Sequence, residues 1–323
     1  MKGVTLSVVI PCHEEEGVIG HTISAVESVV RPIIAEYEII VIDDGSRDRT
    51  FDRIQEMSTE NRNIRGIRFT RNFGKEAAIQ AGICKARGDA VIIMDADLQH
   101  PPSLISTLLY HWRTEGYDVV EAIKSYRGQR NVWQQIRSKW FNWFMRRMTG
   151  LQMQGASDYK LLDRKVVEQL LEISERNRFF RGLVTWTGFR TKQITFQVEE
   201  RVGGETKWSF ISLIKLGISA ATSFSNIPLQ IVTGLGVFTL IFSVILGIQT
   251  FYKQLSGQAI SGFATVIILN LLMNSILMIC MGIIGIYVGH IYTESKRRPF
   301  YIVAEEAPAR VSEHGEKTED RKG

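Results

Sequence analysis

Ala90-Val91-Ile92-Ile93-Met94-Asp95-Ala96-Asp97-Leu98-Gln99-His100 opens as an apolar run and closes on two carboxylates one residue apart. Ala90–Ile93 is β-branched or Ala throughout, which suits a short buried strand. Pro101 and Pro102 stop that strand and can start a helix. Residues at the carboxyl end of a central parallel strand face the ligand crevice of an open α/β sheet. Two carboxylates there repel each other unless a cation lies between them. A hard divalent ion carrying substrate phosphates fits such oxygen ligands. An acidic helix N-terminus would look the same, so the Asp-x-Asp needs support from the rest of the chain.

That support begins upstream. Leu6–Ile10 reads as a strand followed by Pro11-Cys12-His13-Glu14-Glu15-Glu16-Gly17 and a helix to about Val30. Glu38–Ile42 is a second strand ending in Asp43-Asp44-Gly45-Ser46, with a helix from about Arg49 capped by Asp48. Ile64–Phe69 is a third strand, and Lys75–Arg87 an Ala-rich helix closed by Gly88. Ala90–Met94 is a fourth strand, a helix starts at Pro101, and Val119–Ile123 is a fifth strand. Strands alternating with helices at this spacing imply a mostly parallel sheet covered on both faces. Glu14–Glu16, Asp43–Asp44 and Asp95–Asp97 would then open onto one sheet edge, which core packing does not require. The first loop carries neither a Gly-x-Gly-x-x-Gly nor a P-loop pattern, against a dinucleotide or P-loop site.

The 323 residues leave room beyond one α/β domain, and 39 basic against 34 acidic residues give a mild charge of +5. No nucleic-acid partner is expected. Cys12, Cys84 and Cys280 form no Cys-x-x-Cys and no zinc spacing, which fits reduced thiols. The N-terminus runs straight into a strand and does not read as a signal peptide. Leu216–Tyr252 and Gln254–Thr293 carry no Asp, Glu, Lys or Arg. Ile227–Phe251 and Gly262–His290 each exceed the roughly 20 apolar residues a membrane helix needs. Arg201, Lys207 and Lys215 precede the first, Lys296, Arg297 and Arg298 follow the second, and the loop offers Lys253. The positive-inside rule then predicts a multi-pass protein of the cytoplasmic membrane with both termini, and so the α/β domain ahead of the spans, cytosolic. Asn131–Gly150 repeats Trp133, Ile136, Trp140, Phe141, Phe144 and Met148 at helical spacing beside basic residues, as an interfacial or a core helix would. Trp208–Ser223 is a second helix of that kind, and Ala304–Gly323 has the composition of a disordered tail. The expected division is 1–125, 126–224, 225–295 and 296–323: an α/β core whose acidic edge suggests a sugar-nucleotide site, a region with amphipathic interface helices, two transmembrane helices, and a basic flank with a disordered tail.

These segments form an ordered set. Val9-Ile10-Pro11…Glu14-Glu15, Asp43-Asp44-Gly45-Ser46, Arg71-Asn72-Phe73-Gly74-Lys75 and Asp95-Ala96-Asp97-Leu98-Gln99 come first. Ser157-Asp158-Tyr159-Lys160-Leu161-Leu162-Asp163-Arg164, Arg178-Phe179…Arg181-Gly182-Leu183…Trp186…Gly188-Phe189 and Arg201…Gly204-Glu205-Thr206-Lys207-Trp208 follow. From Leu6 to about Tyr301 the chain resembles the family-2 glycosyltransferases of GT-A fold, specifically the polyprenyl-phosphate glycosyltransferases such as dolichyl-phosphate mannose synthases and bacterial undecaprenyl-phosphate glucosyltransferases. It departs from them at His13, where Asn is usual, and at Tyr159, where Phe is common.

The resemblance implies a Rossmann-like GT-A domain ahead of the interface and transmembrane helices. It implies an inverting transfer from a nucleotide diphosphate sugar, UDP-glucose or UDP-N-acetylglucosamine first, to polyprenyl phosphate in the bilayer, giving a lipid-linked sugar for cell-envelope glycosylation. Pro11, Glu14, Asp43 or Asp44, Lys75, Asp95, Ala96 and Asp97 would bind the donor. Asp95, Asp97 and Gln99 would hold Mg²⁺ or Mn²⁺. Asp97 and Asp158 would be catalytic, with Asp158 either orienting or deprotonating. Arg127, Arg137 and Ser138 would take the acceptor phosphate, with Arg201 and Lys207 placed where a lipid head group would lie. A homo-oligomer is also implied. A processive polysaccharide synthase would carry Gln-x-x-Arg-Trp and further spans, and an inactive nucleotide-sugar-binding scaffold would not need Asp95, Asp97 and Asp158 intact.

Overall fold

The computed structural model describes residues 5–125, 157–175, 178–197, 227–256 and 262–308. Described residues up to 125, from 157 to 197 and from 298 on form one compact unit, and those from 227 to 297 form another. In the first, strands β1 (Thr5–Cys12), β2 (Glu36–Asp43), β3 (Ile64–Phe69) and β4 (Ala90–Ile93) alternate with helices α1 (Ile19–Val30), α2 (Thr50–Glu60), α3 (Lys75–Lys85) and α4 (Leu104–Glu115). Then come β5 (Val119–Ser125), β6 (Lys160–Asp163), α5 (Arg164–Glu172), α6 (Phe180–Trp186), β7 (Thr191–Gln197) and, from the C-terminal segment, β8 (Val303–Ala307).

The sheet has eight strands in the order β7-β5-β6-β4-β1-β2-β3-β8. β4-β1-β2-β3 pair in parallel, as do β5 and β7, whereas β6 and β8 run against their neighbours. Central strands buried on both faces read as continuous apolar runs. Accordingly Val8, Val9, Ile10, Ile39–Ile42 and Val91–Ile93 are wholly buried. Leu6, Val8, Ile10 and Ile92 join Ile19, Ile23 and Val26 of α1, Phe51 and Ile54 of α2, and Ile105 and Leu108 of α4 in one core. The opposite face meets α3, where Gly82 lies so close to β1 that a Cβ would fall 2.1 Å from Val9 Cγ1.

Several boundaries differ from expectation. Residue 125 does not end the sheet, because β6 and β7 from the following region and β8 from the C-terminal segment complete it. The disordered-tail reading is corrected for residues 304–307, which belong to β8 and pair with β3 in a register running from Gly66↔Ala307 to Phe69↔Val303. Its polar composition suits an edge strand with one solvated side. Gly88 does not cap α3, which ends in extended Ala86. A Cβ on Gly88 would meet Ser7 N at 2.5 Å, so the glycine serves close backbone approach. The interface-helix readings for 131–150 and 208–223, and the tail from 309, lie outside the described residues.

The second unit contains, among the described residues, α7 (Ile227–Leu255) and α8 (Phe263–Ser295). They are 29 and 33 residues long, and at 1.5 Å per residue each exceeds a hydrocarbon core of about 30 Å. Mean hydropathy reaches 2.5 over Leu229–Lys253 and 2.2 over Leu269–Ser295, which makes both candidate membrane spans.

Gly82→Ala tests the packing of α3 on β1. Ala favours a helix over Gly by about 1 kcal/mol, but overpacking a strand costs about 1–3 kcal/mol. Urea unfolding of the full chain in detergent is expected to show net destabilisation, and a variant more stable than wild type would refute the close approach.

Candidate active site

The parallel register brings the ends of β1, β2 and β4 to one edge, where Pro11, Cys12, His13, Glu15, Asp44, Asn72, Gly74, Lys75, Ala78, Asp95, Ala96 and Asp97 line a cleft of about 290 Å³. Of the anticipated donor residues, Pro11, Asp44, Lys75, Asp95, Ala96 and Asp97 are brought together. Glu14 and Asp43 do not line it. Glu14 is exposed at the bend, with φ 55°, and Glu15 takes the inward position. Asp43 is wholly buried, its Oδ1 accepting hydrogen bonds from Ser46 N–H (3.0 Å) and Ser46 Oγ, and its Oδ2 lying 3.4 Å from Arg68 Nε.

Asp44 joins two motifs. It accepts the N–H groups of Phe73 at 2.7 Å and Gly74 at 2.8 Å. Gly45 permits the approach: its φ is +65°, and a Cβ there would meet the Arg71 backbone at 2.4 Å. Gly74, at φ +98°, then turns the chain into α3. The first loop is tied to the second, with Glu14 N–H donating to Ser46 Oγ and Glu15 N–H to Thr50 Oγ1, both at 2.9 Å.

Past β4, Thr22 Oγ1 donates to Ala96 O at 2.6 Å and Gln99 N–H to Asp97 Oδ1 at 3.1 Å. Leu98, at φ 56°, bends the chain so that His100 turns inward. His100 is buried, with Tyr159 and Phe196 ring centroids at 5.0 and 5.9 Å. Asp95, Asp97 and His100 present ligand atoms within 4.8 Å of one another, a group able to hold a metal ion. The sequence reading missed His100, although a ligand-type residue directly after Gln99 was the available signal.

Asp158, just before β6, is placed by Ser157, whose N–H donates to Glu121 Oε1 at 3.2 Å and whose hydroxyl donates to Ala122 O. Tyr159 behind it is fully buried, and its hydroxyl, absent from a Phe, donates to Pro101 O at 3.2 Å. Asp158 binds Arg181 in bidentate fashion, Nε to Oδ1 at 2.7 Å and Nη2 to Oδ2 at 2.9 Å. Lys75 Nζ lies 2.6 Å from Asp158 Oδ2 and 2.5 Å from Asp95 Oδ1. Two cations thus alternate with two carboxylates. Burial would raise the Asp158 pKa, but Arg181 and Lys75 outweigh it and hold the carboxyl well below the usual range. For Lys75 burial pulls down while Asp158 and Asp95 pull up, and the pKa is raised. Glu15 is pushed up by burial and by Asp97. Glu76 is pushed up to about 7 by burial, with Asp158 adding to it, although it accepts Phe180 N–H at 2.8 Å. Arg181 is a further participant the sequence reading quoted but assigned no role. Arg127, Arg137, Ser138, Arg201 and Lys207 lie outside the described residues.

Comparison with known proteins follows the same outline. Residues 7–171 match glycosyl transferase family 2. The chain is 38% identical over 305 residues to an uncharacterized glycosyltransferase of a Synechocystis species, covering 94% of this chain and 95% of that one. It is 37% identical over 306 residues to the putative glycosyltransferase CsbB of Bacillus subtilis, covering 94% and 93%. It is 33% identical over 303 residues to a bactoprenol glucosyl transferase of Shigella phage SfV, covering 93% and 98%. The matched residues hold β1 to β6 with Asp44, Asp95, Asp97 and Asp158, and the chain belongs to glycosyl transferase family 2, with the GT-A-like, mostly parallel α/β domain of that family.

Proposed function

We propose that this glycosyltransferase moves a sugar from a nucleotide diphosphate sugar to polyprenyl phosphate in the cytoplasmic membrane, with UDP-glucose or UDP-N-acetylglucosamine as donor. The observation that carries the reading is the acidic cleft: Asp95, Asp97 and His100 converge beside the Lys75–Asp158–Arg181 cluster. With a divalent cation on the carboxylates and Lys75 beside them, such a site would suit a polyanionic leaving group. The polyprenyl acceptor draws support from the relative named a bactoprenol glucosyl transferase and from the two long apolar helices.

Two carboxylates and an imidazole with mutually close ligand atoms fit Mn²⁺ or Mg²⁺. Asp95 and Asp97 would hold the ion, with Gln99 and His100 beside them. Bound there, it supplies Lewis-acid neutralisation of the diphosphate as it leaves. Pro11, Glu15, Asp44 and Ala96 shape the donor cleft. Lys75, a cleft-lining cation, is placed to screen diphosphate charge.

Asp158 is assigned an orienting role. A general base works best when its pKa lies near the operating pH, and Asp158 is held far below that. The acceptor phosphate has a second pKa of about 6 and is mostly dianionic at pH 7, so its oxygen attacks without losing a proton. A single displacement inverts the anomeric centre. The difficulty is bringing two anions together, and Arg181 and Lys75, fixed by Asp158, are the described cations that ease it. Arg127, Arg137, Ser138, Arg201 and Lys207 are proposed as the acceptor clamp.

With UDP-glucose, UDP-N-acetylglucosamine, undecaprenyl phosphate and Mn²⁺, purified protein is expected to form a lipid-linked sugar from one donor. Asp97→Asn is expected to lower that rate at least a hundredfold while leaving thermal stability intact, and full activity in chelator would refute the metal site. If Asp158 acts through Arg181, Asp158→Asn and Arg181→Gln should each lower kcat by a similar factor, and the double variant no further. A near-normal kcat in Arg181→Gln would instead return Asp158 to the role of base. The proposed topology puts the segment linking α7 and α8, including Ser256, on the external side. In intact cells a membrane-impermeant thiol reagent should then label Ser256→Cys and spare the exposed Cys84; the reverse pattern would invert the topology.

A further inference from the structure

A charged row crosses three strands behind the donor cleft. The register pairs Asp43 of β2 with Arg68 of β3, and Arg68 with Glu305 of β8. Arg68 gives each guanidinium nitrogen its own partner. Nε lies 3.4 Å from Asp43 Oδ2, Nη1 lies 3.0 Å from Glu305 Oε1, and Nη2 donates to Ser46 O at 2.8 Å. The guanidinium also lies over the Phe51 ring, 5.6 Å from its centroid. A planar fork with fixed donors can hold this set, whereas a lysine ammonium cannot.

The row continues into the cleft wall. Ser46, gripped by Arg68 at its carbonyl and by Asp43 at its hydroxyl and N–H, accepts Glu14 N–H. Glu14 belongs to the loop after β1 that supplies His13 and Glu15 to the cleft. Asp43 Oδ2 is buried and makes no hydrogen bond among the described residues, where the Arg68 charge, 3.4 Å away, is what compensates it. Without Arg68 the carboxylate would have to protonate or turn, and Ser46 would lose its fixed position. Burial already biases Asp43 toward the neutral form.

We infer that Arg68 is a positioning residue for the donor cleft, and that strand β8, from the segment following the second apolar helix, holds Arg68 in place through Glu305. Neither residue lines the cleft. Glu305 does not carry the attachment of β8, which rests on backbone pairing, on Thr70 N–H donating to Ile302 O at 3.0 Å, and on Lys85–Glu306 at 2.8 Å. Removing the Glu305 carboxylate therefore loosens Arg68 while leaving the strand attached. The C-terminal segment thereby becomes a determinant of donor affinity.

The inference rests on the nucleotide-sugar reading, and titration of the full chain in detergent with UDP and GDP in Mn²⁺ separates the two. Arg68→Ala and Arg68→Lys are each expected to raise the Kd of the preferred nucleotide about tenfold, and Glu305→Ala about threefold. Arg68→Ala/Glu305→Ala should bind no more weakly than Arg68→Ala alone. In turnover the loss should fall on the donor KM, with kcat at saturating donor and the acceptor KM moving far less. If wild type binds neither nucleotide, the donor reading fails and takes this inference with it. If wild type binds and Arg68→Ala binds equally well, or the two single effects add, the inference alone is overturned. Should Arg68→Ala fail to fold, Glu305→Ala decides: unchanged nucleotide Kd and donor KM would overturn it.

Discussion

Negative charge gathered at one sheet edge is the constraint on which this architecture depends. Parallel strands bring Glu15, Asp44, Asp95 and Asp97 to a common cleft, and Asp158, just ahead of the antiparallel β6, is linked to it through Lys75. Two like charges 4 Å apart in a partly buried setting cost about 4 kcal/mol at an effective dielectric near 20. The chain answers with cations rather than with protons at the centre of the site. Asp158 is nearly buried, yet the attraction of Arg181 and Lys75 exceeds the desolvation and leaves it ionised. Glu15 and Glu76 form no ion pair among the described residues, and burial pushes both upward, Arg181 and Lys75 offsetting it only in part at Glu76.

Helix α3 distributes that compensation. Its entry is fixed by Asp44 through Phe73 and Gly74 N–H, and its first residue is Lys75. Glu76 then accepts Phe180 N–H at the start of α6, the helix that carries Arg181. One turn on, Gln80 meets Arg178, and near its end Lys85 pairs with Glu306 of β8. Gly82 lets the helix press onto β1. Residues that line the cleft and residues that pack the sheet therefore share one rigid element, the kind of support that holds site geometry.

The sheet's flanks are managed by charge. At the β5–β6 pair, Glu121 and Lys160 form an almost wholly buried ion pair at 2.8 Å, with Glu121 also accepting from Gln193 at 3.2 Å. Removing one partner of such a pair costs about 3–5 kcal/mol, so the segment leading from Asp158 is fixed in register. On the far side β8 covers β3, which would otherwise present an unpaired edge. Its polar residues Glu305 and Glu306 meet Arg68 and Lys85 rather than water alone.

The sequence by itself determined what depends on local pattern. Apolar runs ending in acids marked β1, β2 and β4, and the strand–helix alternation they share with the mixed Ile64–Phe69 segment implied a mostly parallel sheet with Asp44, Asp95 and Asp97 at one edge. Two uncharged stretches of helical length specified the candidate membrane spans. What depends on distant partners could not be read. Lys160-Leu161-Leu162-Asp163 is too short to announce a strand, and it becomes one only between β4 and β5. Val303–Ala307 has a tail's composition until β3 offers its edge. Asp43 and Asp44 are adjacent and chemically identical, yet the pleat sends one inward to Ser46 and Arg68 and leaves the other at the cleft. Arg181 reaches Asp158 from 23 positions away, and His100 turns inward through a left-handed bend at Leu98. Spacing along a chain reports periodicity within an element, whereas these contacts arise where separate elements meet, and only the tertiary structure brings them together.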